Sequence, residues 1–240
     1  MIGADPYAVL ETVDPDTWPE DFDPYEAALR QFTPDDPAPL SRLLNSDNDW
    51  VTRRGLYLFS ELGRKSFPVL DDAICHIDNP DSMARNDLLD GLLCHTQRLS
   101  SGHVRQVLRV EDLEDQTDPP SGLVRSKVIT LLGALDKGTV RRAVSEIPDE
   151  EMRARHLDAL DNAPTRFDDI QQVLDIACSQ KGIEQVYAFA ALESAARRDL
   201  IKVTPECEGC DDACDWVVWQ MKRHINRNFQ RNDPAGWEKW

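Results

Sequence analysis

From about residue 40 onward, apolar residues recur at steps of three and four, and no stretch alternates strictly between apolar and polar. That period belongs to a helix with one buried face, whereas a half-buried strand needs a period of two. Over 121–135 the stripe is Leu123, Val124, Val128, Leu131, Leu132 and Leu135, interrupted only by Lys127. Over 81–97 it is Met83, Leu88, Leu89, Leu92 and Leu93. Helices are therefore expected at about 39–46, 49–62, 66–77, 81–97, 101–110, 121–135, 137–146, 149–160, 168–180, 183–198 and 212–231. The breakers fall in the gaps: Gly63, Asn79-Pro80, Pro119-Pro120 with Ser121 as an N-cap, then Pro148, Pro164 and Pro205. Asp149, Glu150 and Glu151 place negative charge where a helix N-terminus favours it.

The first 39 residues are written differently. They hold seven of the fifteen prolines and ten acidic residues against one basic residue, Arg30. Each proline removes a backbone donor and fixes φ, so long regular elements are excluded, with room for one short helix at Tyr25–Phe32. Trp18, Phe22 and Tyr25 are candidates to pin this arm to the body. The expected organisation is an acidic, proline-rich arm over 1–39 and a helical domain over 40–240.

Several helices read as versions of one plan. Val51-Thr52-Arg53-Arg54-Gly55-Leu56-Tyr57 aligns with Met83-Ala84-Arg85-Asn86-Asp87-Leu88-Leu89 and with Leu123-Val124-Arg125-Ser126-Lys127-Val128-Ile129; Glu151-Met152-Arg153-Ala154-Arg155-His156-Leu157 is a weaker copy. The arginines step by 32, 40 and 28 residues, each followed by a second helix. A recurring helix pair that cannot bury its face alone must stack on its neighbours. The expectation is an all-α superhelix of stacked helix pairs.

The apolar-then-arginine start resembles HEAT-like repeats. Within Leu43–Cys94, the run of Leu44-Asn45-Ser46, Val51, Gly55-Leu56-Tyr57, Ser60-Glu61-Leu62-Gly63, Pro68-Val69-Leu70 and Asp78-Asn79-Pro80 resembles small bacterial HEAT-like proteins, some of them immunity partners of secreted polymorphic toxins. The resemblance covers about a fifth of the chain. It implies a protein that inhibits a cognate toxin by covering its active site, encoded beside that toxin.

Charge narrows the partner. With 27 Lys and Arg against 44 Asp and Glu, the formal charge is −17. Nucleic acid and anionic membranes need clustered cations, so neither is an expected partner. A basic protein would be steered in by the same field. No apolar run approaches the roughly 18 residues of a membrane span. The start Met1-Ile2-Gly3-Ala4-Asp5-Pro6 carries no signal-peptide pattern, so a cytoplasmic location is expected.

Catalytic motifs are absent: the sequence has no GxSxG, no GxxxxGK[ST] and no GxGxxG. Cys207, Cys210 and Cys214, with His224 ten residues further, have partial metal-ligand spacing but no second CxxC or histidine pair. Cys75-His76 and Cys94-His95 offer a thiol beside an imidazole, though an activated thiolate needs cationic surroundings that this chain hardly offers. Neither group is assigned a role, and no cofactor is expected. Trp216 and Trp219 share a helix face with Arg223, as a cap on the last repeat or an interface anchor. The expected function is a protein-binding helical solenoid, an immunity protein for a basic toxin domain, with a general adaptor or scaffold, or a metal-binding regulator or enzyme using Cys207, Cys210 and Cys214, as alternatives. The partner-binding candidates are Trp50, Tyr57, Glu61, Asp71, Asp72, Asp87 and Asp90.

Overall fold

The computed structural model describes residues 5–12, 23–108, 113, 119–201, 217 and 219–221, with backbone alone at 119–123. It is all helical. Among the described residues there is no β-strand, only an isolated bridge between Thr33 and Asp36. None of the described helices is long and apolar enough to cross a membrane. The chain forms two compact units, Met1–His95 and Thr96–Trp240.

The first unit contains α1 (Pro6–Thr12), α2 (Pro24–Gln31), α3 (Ala38–Leu44), α4 (Asp49–Glu61), a 3₁₀ segment Gly63–Val69, α5 (Leu70–Ile74) and α6 (Ser82–Leu93). Helix α4 packs between α3 and α6, and α3 packs on α5. The helix pair α3–α4 thus lies beside the pair α5–α6. Helix α1 was not expected among the prolines. It forms because Pro6 occupies its first position, where a missing N–H costs nothing, and the Asp5 carboxylate accepts the Tyr7 N–H at 3.0 Å. Its Tyr7 and Leu10 belong to the core of this unit, and the Tyr7 hydroxyl donates to the Ala28 carbonyl at 3.1 Å. The expected helix over 66–77 is also corrected. Pro68 stands within a 3₁₀ segment, and α-helix resumes only at Leu70.

The second unit contains α7 (Ser101–Val107), α8 (Pro119–Ala134), α9 (Lys137–Ser145), α10 (Glu150–Asn162), α11 (Ile170–Ser179) and α12 (Gly182–Arg197). Helix α8 starts at Pro119, so Ser121 lies inside its first turn and is not an N-cap. The main partner of α8 is α12, about 60 residues on in sequence, while α7 packs on α9 and both α10 and α11 pack on α12. Packing order here is not chain order. The α8–α12 contact is set by Gly133, where a Cβ would stand 2.5 Å from Cγ of Glu193. Gly182 opens α12 at φ +55°, in the left-handed region, and its carbonyl accepts from the buried Arg125 guanidinium at 2.7 Å. Most of the expected helix 212–231 lies outside the described residues; of those described, Val217 and Met221 are buried and Trp219 is half-buried.

Aspartate does much of the helix punctuation. Asp23, Asp81, Asp136, Asp149 and Asp169 are N-caps whose carboxylates accept backbone N–H groups of the first turn. Part of the acid excess is therefore committed to starting helices.

Candidate functional site

Helix α4 explains where a site can form. Its N-terminus is set by Asn48, whose side chain accepts the Trp50 N–H at 3.0 Å. Val51, Leu58 and Phe59 then turn inward and are buried. Trp50, Arg53, Tyr57 and Glu61 follow at spacings of three and four, which puts them on one helix face. Trp50 is 64% exposed and Tyr57 39% exposed, two of the few large apolar side chains at the surface.

Neighbouring helices complete this face. Tyr25 of α2 meets Tyr57 edge-on, with ring centroids 5.1 Å apart. The Arg53 guanidinium lies over the Trp50 ring at 5.8 Å from its centroid and pairs with Asp81, the N-cap of α6, at 3.3 Å. A cation over an indole is attracted by the ring's negative face. Arg53 therefore links Trp50 to α6 and restricts the ring before any partner arrives.

Carboxylates gather near Tyr57. Burial raises the pKa of Tyr57, and Glu61, Asp23 and Asp87 raise it further. Asp87, on α6, is pushed up to about 6, first by burial and then by the nearby charge of Asp90, with the Asn86 hydrogen bond and Arg53 acting the other way. The Asn86 amide also donates to Asp90 at 3.4 Å. A carboxylate this strained by desolvation and like charge gains most from an incoming cation.

Of the sequence candidates, Trp50, Tyr57 and Glu61 share one face of α4, and Asp87 comes near it from α6 with Asp90 beside Asp87. Asp71 and Asp72 sit on α5, and the Asp72 carboxylate accepts the Ser41 hydroxyl of α3 at 2.6 Å. Three residues of the face escaped the sequence reading. Arg53 is legible in hindsight three positions after Trp50. Tyr25, expected only as a pin between the arm and the body, and Asp81 reach the face from other helices.

The remaining motifs have ordinary surroundings. His95 is buried, shares a hydrogen bond with the Ser66 hydroxyl at 3.1 Å, and packs near Phe59 and Phe67. His76 contacts the Leu44 carbonyl at 2.7 Å. The Cys75 thiol donates to the Asp71 carbonyl at 3.2 Å, one turn back. The described residues contain no group of three or more side chains placed to hold a metal. Cys207, Cys210, Cys214, His224, Trp216, Trp18 and Phe22 lie outside the described residues.

The fold and this face define an all-helical protein with an acidic, aromatic surface on its first unit. No family model, curated protein or solved structure matches the chain.

Proposed function

We propose that this protein is a binding module whose α4–α6 face takes a basic segment of a protein partner. The observation that carries this reading is the exposed Trp50 and Tyr57 on one helix face, with Glu61 and Asp87 near Tyr57 and Asp90 near Asp87. A lysine or arginine of the partner would lie against the aromatic rings and pair with the carboxylates, which combines cation–π attraction with charge. Exposed aromatics held in place are the usual energetic anchors of such contacts.

The partner class follows from the resemblance of Leu43–Cys94 to HEAT-like immunity proteins, and the pair α3–α4 lying beside α5–α6 supports it. In this reading the adjacent helix pairs of the first unit cover the basic active site of a toxin domain. The chain performs no chemistry of its own. A nuclease-like toxin is the natural fit, because its substrate-binding groove must be cationic.

Co-expression with the product of the adjacent gene tests the reading. A stoichiometric complex should form, its association slowing as ionic strength rises, and the host should be protected from the toxin's activity. Absence of a complex at low salt, or an association rate indifferent to salt, counts against it.

A further inference from the structure

A groove of about 250 Å³ opens in the second unit between the ends of α8, α10 and α12. It exists because α12 presents Ala190, Ala191, Ser194 and Ala195 there, where larger side chains would close the space. Leu132, Leu160 and Phe167 form its walls. Tyr187 lies at its floor, buried, with its hydroxyl already bonded to Nδ1 of the buried His156 at 2.9 Å, so the ring rather than a free polar atom faces the space. Leu200 stands at the edge, 59% exposed.

The charges around this groove run against the rest of the chain. Lys137 and Arg198 line it, and no aspartate or glutamate does, in a protein with 44 acids and 27 bases. Asp199 adjoins Arg198 in sequence and is exposed, but does not line the groove, and the two acids near Lys137 are engaged elsewhere. Asp136 caps α9 through the Thr139 N–H at 2.9 Å. Asp161 lies near Lys137 but is gripped by both terminal nitrogens of Arg141, at 2.5 and 2.9 Å. Among the described residues neither Lys137 nor Arg198 has an ion pair, so their charges remain available at the rim.

We propose that this groove binds a small apolar carboxylate, a medium-chain acyl acid, with its chain against Leu132, Leu160 and Phe167 and its carboxylate at Lys137 and Arg198. The volume sits just below the roughly 300 Å³ at which small-molecule sites begin, which suits a short acyl chain and not a large cofactor. Apolar walls supply the affinity and the two cations select the acid over its neutral analogue. This proposal is independent of the partner-binding face in the first unit.

Calorimetric titration of the full chain with octanoate, octan-1-ol and acetate tests it. Octanoate should bind, octan-1-ol about tenfold more weakly, and acetate not measurably. The double variant Lys137→Gln/Arg198→Gln should bind acid and alcohol alike. Ala191→Phe should abolish both while leaving the helical circular dichroism unchanged; if it fails to fold, Ser194→Leu closes the same wall. The proposal is overturned if octanoate binds no better than acetate, if filling the groove leaves binding intact, or if the preference for the acid survives loss of both cations.

Discussion

In the first unit, Gly91 on α6 makes room for the ring of Phe59; in the second, Gly133 on α8 makes room for the side chain of Glu193. The device is the same, but the side chain admitted is apolar in one and a carboxylate in the other. The first unit fills this contact with an aromatic; its buried polar groups, Arg54 on the Leu10 carbonyl and His95 on Ser66, lie at other contacts, and further charges gather near Tyr57. The second takes polar groups inward: Glu193 is fully buried and paired with Arg197 at 2.9 Å, Arg125 holds Gly182, and His156 holds Tyr187. Buried polar groups add little net stability but penalise every arrangement that leaves them unmatched. Both units use buried polar groups to specify packing between distant segments; the contrast teaches that the second places a carboxylate at the glycine contact itself, whereas the first keeps that contact apolar and also presents Trp50, Tyr57 and nearby carboxylates at the surface.

The largest expected effect comes from the two glycines. Valine at either position forces heavy atoms into space already filled, since a Cβ alone would stand 2.2 Å from the Phe59 ring at Gly91 and 2.5 Å from Glu193 at Gly133. Each substitution should cost about 3 kcal/mol, read by urea denaturation. The units should then differ in rescue. Phe59→Leu should recover part of the Gly91→Val loss. Shortening Glu193 should not rescue Gly133→Val, because the Ala190 carbonyl oxygen also stands 3.0 Å from the new carbon. Equal rescue in both would erase the distinction drawn here.

Next in size is Trp50→Ala. Binding of the partner should weaken by a factor of about 30, as for an aromatic anchor of roughly 2 kcal/mol, while the melting temperature barely moves because the ring is mostly exposed. A large drop in stability instead would make Trp50 a structural residue.

Asp87→Asn sharpens the same point through pH. Burial and Asp90 hold Asp87 at about 6, above its ordinary 3.8. The folded state therefore keeps a proton that the unfolded chain has lost, so the protonated form favours folding below pH 4 and that advantage disappears as pH rises through 6. At pH 7 the ionised group is a burden, and Asp87→Asn should add about 1–2 kcal/mol, with the gain vanishing by pH 4. A partner cation lowers this pKa, so wild-type affinity should rise between pH 5 and 7 and the variant's should rise less. A flat pH profile in the wild type contradicts this. The smallest effect is Tyr187→Phe, which removes the hydroxyl bonded to His156 and should cost about 1 kcal/mol with no effect on the partner-binding face.

The helices of local origin were legible. Asn48 before a run of Val51, Leu58 and Phe59 predicts α4 to within a residue of Asp49–Glu61, and Asp149 before two glutamates predicts α10. Helix α1 was hidden because seven residues carry too short a stripe and its proline reads as a breaker, although a proline at the first position is permissive. Pro68 acted in the other direction, breaking a stretch whose apolar spacing reads as one helix. The pairing of α8 with α12 was beyond reach, because it depends on a glycine and a glutamate 60 residues apart. Five of the eight residues named at the proposed binding face were candidates from the sequence. Trp50, Tyr57 and Glu61 declare their shared face by spacing, whereas Tyr25 and Asp81 arrive through tertiary packing. The expected division falls at residue 39; the compact units are Met1–His95 and Thr96–Trp240, and Tyr7 and Leu10 lie in the first unit's core.

Charge reversal at equal net charge tests the central claim most directly. Glu61→Lys/Asp90→Lys alters the α4–α6 face, and Asp71→Lys/Asp78→Lys makes the same change in charge elsewhere in the first unit. Measured against the adjacent gene's product, the first pair should lose at least about 100-fold in affinity and the second no more than about threefold. Equal losses from both pairs would mean that overall charge, and not this face, holds the partner.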